Sequence, residues 1–173
     1  MKALFALALF LTVCFVAQAQ NTPSNETSLK TGNSDYGCSL DRDGGNYYLI
    51  SSGKIIKVID GNTLIFKDSD GSNIRVELLS IDTESNKKES KSFLEKNVLN
   101  LKAELFYIPG RADKKKVSAI LMLGDKDINR RMLEQGTARY KESKMYTIAY
   151  FNDCVNRKSE EKAKNEKLGI WAK

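Results

Sequence analysis

Two short segments hold the side chains of this sequence best suited to chemistry. Lys57-Val58-Ile59-Asp60-Gly61-Asn62-Thr63 sets an aspartate and an amide around a glycine. About twenty residues later, Leu79-Ser80-Ile81-Asp82-Thr83-Glu84-Ser85 sets two carboxylates among hydroxyls. The chain has no histidine. That removes imidazole general acid–base catalysis, the Ser-His-Asp arrangement and the usual zinc sites. Hydrolytic chemistry would have to run on carboxylates, guanidinium groups and a hard cation, the kind of ion that oxygen ligands hold.

The elements that must position these residues read as a β-rich domain. From Gly53 onward, short β-branched runs over residues 54–59, 63–67 and 74–81 alternate with turn residues. Asp60-Gly61 and Asp68-Ser69-Asp70-Gly71-Ser72 supply the turns. The second carries two aspartates in the manner of a calcium loop, but no glutamate follows at the required distance, so it reads as a hairpin tip. Residues 87–101 read as a helix, with Phe93, Leu94, Val98 and Leu101 on its apolar face and Lys87, Lys88, Lys91 and Lys96 towards solvent. Strands over 103–108 and 116–123 follow, with a turn at Pro109-Gly110. A helix over 128–135 stops at Gly136, and a long helix covers 146–167. Periodicity by itself specifies a small α+β domain with an antiparallel sheet.

The N-terminus reads as a signal peptide over residues 1–19. Lys2 precedes an apolar run from Ala3 to Val16, and Ala17-Gln18-Ala19 fits a cleavage site. The run is shorter than the roughly 20 residues a membrane-spanning helix needs. A lipoprotein signal at Leu11-Thr12-Val13-Cys14 fits poorly, because Val13 is bulky. Removing these 19 of 173 residues leaves 154, with 27 basic and 22 acidic side chains and a net charge of +5. Residues 20–46 are polar and read as a flexible extension, within which Asn25-Glu26-Thr27 fits a glycosylation sequon. Cys38 and Cys154 are the thiols left after cleavage, and in an exported protein they are expected to form a disulfide.

The first active segment resembles V-I-D-G-D-T, and the stretch ending in Asp82-Thr83-Glu84-Ser85 resembles R-L-x-x-x-D-[TA]-P-E. These are the two active-site motifs of the staphylococcal nuclease (thermonuclease-like) family. Ile128-Asn129 with Met132-Leu133-Glu134-Gln135-Gly136-Thr137-Ala138 is similar to that family's V-N-x-x-L-V-x-x-G-x-A helix. Glu161 to Trp171 is similar to its A-x-x-K-x-x-G-[IL]-W terminus. The likeness spans about residues 53–172. It implies an α+β fold over 47–173: a five-stranded antiparallel OB-fold β-barrel with three helices. It also implies phosphodiester cleavage by a calcium ion, a glutamate and two arginines. Attack on a phosphodiester builds negative charge that a cation and guanidinium donors stabilise, while a carboxylate positions or deprotonates the attacking water.

Set against that pattern, the charged positions of this chain are altered. Asn62 falls on a calcium-binding aspartate, and an amide oxygen brings no charge to the ion. Asp82 and the Thr83 carbonyl match the other ligands, so the resemblance implies at most a weakened Ca2+ site. Glu77, five residues before Asp82, falls on the first arginine, a charge reversal that cannot donate hydrogen bonds when ionised. Arg75 lies on the same strand face, about 6–7 Å from Glu77, and reads as its ion-pair partner. Ser85 falls on the catalytic glutamate, with Glu84 one position away. On a strand that shift would turn Glu84 to the opposite face; in a turn, Glu84 stays open as a substitute. The second arginine falls on Lys116 counting back from Asn129 or on Val117 counting forward from Asp113. Lys116 also aligns Ala119 with the motif's alanine, but lysine lacks the planar fork of arginine. The motif's neighbouring tyrosine is absent.

Each lost transition-state donor typically costs about 3–4 kcal/mol, so the resemblance implies little or no calcium-dependent cleavage. Lys87, Lys88 and Lys91, together with Lys114, Lys115 and Lys116, offer basic surface for a nucleic acid. OB barrels bind single strands through such grooves with stacking aromatics, here Tyr107 and Tyr140. Three readings stand. The first is a secreted or periplasmic monomer, catalytically impaired, that binds single-stranded DNA or RNA or another protein and has no membrane contact after signal cleavage. The second is an atypical calcium-dependent nuclease built on Glu84, Asp82, Asn62 and Lys116. The third is a binder in the barrel cleft with no nucleic-acid role.

Overall fold

The computed structural model describes Cys38 and residues 49–107, 116–142 and 148–172. The leader over 1–19, the extension over 20–46 apart from Cys38, and Asn25, Lys114 and Lys115 lie outside the described residues.

Three strands open the domain. β1 (Leu49–Val58) pairs antiparallel with β2 (Thr63–Asp68), and β2 pairs antiparallel with β3 (Asn73–Leu78). β1 starts well before the 54–59 run because it serves two neighbours. Its first half pairs with β5 (Lys102–Tyr107) and its second half with β2. The strand must bend between them, and the register slips between Ile55 and Lys57, leaving Ile56 as a bulge. Gly53 sits at the shared corner, opposite both Asp68 and Ala103. A Cβ there would lie 2.2 Å from the Lys67 carbonyl oxygen, so only glycine fits.

β5 pairs antiparallel with β6 (Lys116–Leu123), and β6 closes the barrel by running parallel to β3. The expected all-antiparallel barrel is therefore corrected to a mixed one. The reason is parity: five strands in a closed ring cannot alternate direction at every seam, so one pair must be parallel. It falls at β3–β6, with Arg75 opposite Lys116 and Leu78 opposite Ala119.

Alternation sends Ile55, Leu64, Phe66, Val76, Leu105, Ala119 and Leu121 inward, where they are fully buried. α1 (Lys87–Asn97) adds Leu94 to this core, and Val98 just beyond its end joins it. The helix is shorter than the expected 87–101: Asn100 takes a positive φ, and Leu101 is 48% exposed rather than part of the apolar face. α2 (Ile128–Glu134) buries Ile128, Met132 and Leu133. Its first turn is capped by Asp127, whose carboxylate accepts from the Arg130 N–H at 3.0 Å. Gly136 follows it with positive φ, as expected. α3 (Ile148–Asn165) packs on α2. The Cys38–Cys154 disulfide joins the segment before β1 to this helix. At the β2–β3 tip, Asp68 and Asp70 both accept from the Ser72 N–H, which makes the expected hairpin turn.

Candidate functional site

Asp60, Gly61 and Asn62 form the tight connection between β1 and β2. The Asn62 N–H donates to the Asp60 carboxylate at 3.0 Å, and the Thr63 carbonyl accepts from the Ile59 and Asp60 N–H groups. The Asn62 carbonyl accepts from Leu78 N–H at 2.8 Å, fixing the turn to the end of β3. A Cβ on Gly61 would lie 2.7 Å from Thr83 Oγ1 and from Ser90 Cβ. The turn is thus pressed onto the second segment. The glycine is what lets the two motifs, some twenty residues apart in sequence, meet in space.

The second segment turns sharply after β4 (Ile81–Asp82), a short strand that pairs with β7 (Arg139–Tyr140). Asp82 uses one carboxylate oxygen to accept from the Glu84 N–H at 2.9 Å. A 3-10 turn follows over Glu84–Asn86, so the stretch is not extended and strand alternation does not set where Glu84 points. Glu84 is exposed and forms an ion pair with Lys87 at 2.7 Å. The Glu84 carboxylate holds the Lys87 ammonium above its ordinary range, and Asp60 and Asp82 add to that field. Ser85, at the position of the motif's glutamate, is exposed.

The oxygens expected to hold a calcium ion are in part already engaged. The Asn62 amide oxygen accepts from Thr63 Oγ1 at 3.0 Å, and the Thr83 carbonyl accepts from the Asn86 N–H at 2.9 Å. Among the described residues, no three acidic, histidine or cysteine side chains converge. Calcium takes six to eight oxygens, several of them charged. Of the three expected ligands only Asp82 carries a charge, and the Lys87 ammonium stands in the same field, so the donor set is a weak match to that requirement.

Glu77 and Lys116 form a diagonal ion pair across the parallel seam, with the ammonium 3.2 Å from the carboxylate. Arg75, the partner expected from sequence, makes no such pair. It stands directly opposite Lys116 in register, and Lys116 reaches along the seam to Glu77 instead. Val117, the alternative to Lys116, is buried in the core. This pairing escaped sequence reading because it depends on the parallel closure.

A family model described as "Staphylococcal nuclease homologue" matches residues 75–173, more than half of the chain. The chain belongs to the staphylococcal nuclease homologues. It is also 28% identical over 138 residues to a thermonuclease of Staphylococcus intermedius, an alignment covering 73% of this chain and 77% of the relative. In this staphylococcal nuclease homologue, the other expected nucleic-acid contacts are scattered. Lys87 and Lys116 are tied up in ion pairs, and Lys88 is exposed on α1. Tyr107 and Tyr140 are half-buried and packed against the core. The Arg157 guanidinium lies 5.0 Å over the Tyr140 ring. Burial and the neighbouring Asp153 carboxylate push the Tyr140 phenol up.

Proposed function

We infer that this staphylococcal nuclease homologue is an exported domain whose phosphodiester-cleaving machinery has been dismantled and whose scaffold now binds nucleic acid. The Glu77–Lys116 ion pair carries the reading. By the motif likeness these are the two positions where arginines would clamp the phosphate. Here a carboxylate and an ammonium neutralise each other. A phosphate entering between them would meet a negative charge at Glu77 and compete with it for Lys116.

Ser85 has no carboxylate with which to activate water. Glu84, the nearest substitute, is held by Lys87. Export is supported by the Cys38–Cys154 disulfide and by the signal-like pattern of residues 1–19. Among the described residues, no helix is long and apolar enough to cross a membrane.

The test is fluorogenic DNA and RNA cleavage by the purified chain, with calcium and with chelator, beside the double variant Glu77→Arg/Ser85→Glu. The expected result is no chelator-sensitive cleavage by the native chain and a measurable gain in the double variant. Calcium-dependent cleavage by the native chain would overturn the reading and favour a rearranged site on Glu84, Asp82, Asn62 and Lys116.

A further inference from the structure

The strand register assembles a basic surface that no stretch of the sequence displays. On the outer face of the barrel, Lys54 of β1 stands opposite Lys67 of β2 on one side and Lys102 of β5 on the other. Directly paired side chains lie about 4.5–5.5 Å apart at Cβ, so the three lysines start from a row about 10 Å long. One step along the strands, Lys57 and Arg75 flank Ile65 in a second row. All five cationic side chains are exposed. None of the ion pairs of the described residues involves them; those pairs take up Lys87, Lys91, Lys116, Arg130, Arg157 and Lys164. Two carboxylates stand beside the first row: Asp68, which accepts from the Ser72 N–H, and the exposed Glu104, opposite Ser52; Glu77, beside the second row, holds Lys116.

Like charges directly opposite each other on a sheet cost stability, and Lys54 incurs that cost on both sides. A groove of about 640 Å³ opens along the stems of the three lysines, with Asp68 and Glu104 also on its wall and Gly53 and Gly124 adding no side chain. This groove lies at the opposite end of the β1–β2 hairpin from Asp60 and Asn62, six residues or about 20 Å along β1.

The geometry points to the Lys54–Lys67–Lys102 row and its groove as a binding site for the phosphodiester backbone of single-stranded nucleic acid, about 20 Å along β1 from the Asp60–Asn62 turn, with Lys57 and Arg75 continuing it towards the motif site. The inference rests on the nucleic-acid-binding reading above. A groove of this size admits a nucleotide strand, whereas a flat bilayer would touch only its rim. The two rows carry no aromatic side chain, so contact is with phosphates. Binding should then be indifferent to sequence and steeply dependent on salt.

The test is fluorescence anisotropy with a labelled single-stranded oligodeoxynucleotide across a salt series, in chelator. The native chain is compared with Lys54→Gln/Lys67→Gln/Lys102→Gln, with the single variant Lys54→Gln, and with Lys87→Gln/Lys88→Gln. The triple variant should lose about 2 from the log–log salt slope and roughly tenfold or more in affinity at low salt. The single variant should lose about 0.7 of slope, and the α1 pair should change affinity less than about twofold. The triple variant should melt no lower than the native chain, since it relieves repulsion. Native binding that survives the triple variant, or that is lost in the α1 pair, overturns this face and leaves the nucleic-acid reading standing. No binding by the native chain at low salt overturns both.

Discussion

Glu77 and Lys116 sit 3.2 Å apart with both side chains about half exposed, a setting in which an ion pair contributes about 0–1 kcal/mol. Stability therefore does not explain why the two residues occupy the rim of this barrel. Their consequence is electrostatic, because each offsets the other's charge, and on the function proposed above that is where a phosphate would enter. A different residue bears on stability. Asp127 is buried, and burial raises its carboxyl above the usual carboxylate range, although the Arg130 N–H and guanidinium pull it back down. Between the ordinary value of 3.8 and the raised folded value, the folded chain holds the proton more often than the unfolded chain. Stability from this residue must then fall as pH rises through that window. Asp127→Asn keeps an acceptor for the α2 cap and removes the titration. Urea melts should show this variant matching the native chain near pH 4 and gaining on it towards pH 7. Asp127→Ala should lie about 1 kcal/mol below Asp127→Asn throughout, because the cap itself is gone. A native-minus-Asn difference that stays flat with pH would show that Asp127 does not titrate in that range.

At the scale of elements, the C-terminal corner depends on backbone touching backbone. The Gly136 carbonyl accepts from the Ile170 N–H at 2.9 Å, and a Cβ on Gly169 would lie 2.2 Å from that carbonyl oxygen. Gly124 also has positive φ, but nothing lies within 4 Å of its Cβ position. Gly124→Ala should thus cost only the backbone strain, about 1 kcal/mol, and Gly169→Ala roughly 2–4 kcal/mol. The emission of Trp171 reports this corner, since it is the chain's single tryptophan and its ring contacts both the Arg139 guanidinium and the Lys164 ammonium. Equal costs for the two alanines would show that the contact yields freely. Much of this element order was legible in the sequence, because alternation and turn residues mark β2, β3, β5 and β6 and Gly136 marks the end of α2. The Ile128-Asn129 motif was legible too, but not its use. Asn129 is buried, accepts from the Leu121 N–H and donates to the Leu79 and Ala119 carbonyls, pinning α2 to the barrel wall. What stayed hidden was whatever depends on which strands meet. The charge reversal at Glu77 could be read from the sequence, but its true partner and the lysine row at 54, 67 and 102 are products of register. The early start of β1 was hidden for the same reason, since Leu49–Ser52 pair only with β5.

For the molecule as a whole, the barrel closes on itself through a seam that unites β3 with β6. The Cys38–Cys154 bridge adds a covalent tie outside that wall, joining residues 116 apart in sequence. A cross-link of this span restrains the unfolded chain far more than the folded one. In the chain-entropy account it contributes about 4–5 kcal/mol. For a domain of this size, that corresponds to a fall of roughly 10–20 °C in Tm when the bridge is opened. Cys38→Ser/Cys154→Ser and the reduced native chain should therefore behave alike: native-like circular dichroism at 25 °C, a markedly lower Tm and a steeper dependence on urea, because the freed unfolded chain exposes more surface. A shift below about 3 °C would mean that the bridge constrains little, and the disulfide would then no longer support an oxidising compartment as this chain's working environment. A large shift in the double variant without one on reduction would mean that the bridge resists the reductant used, which reduction under denaturant followed by refolding separates from a true absence of effect.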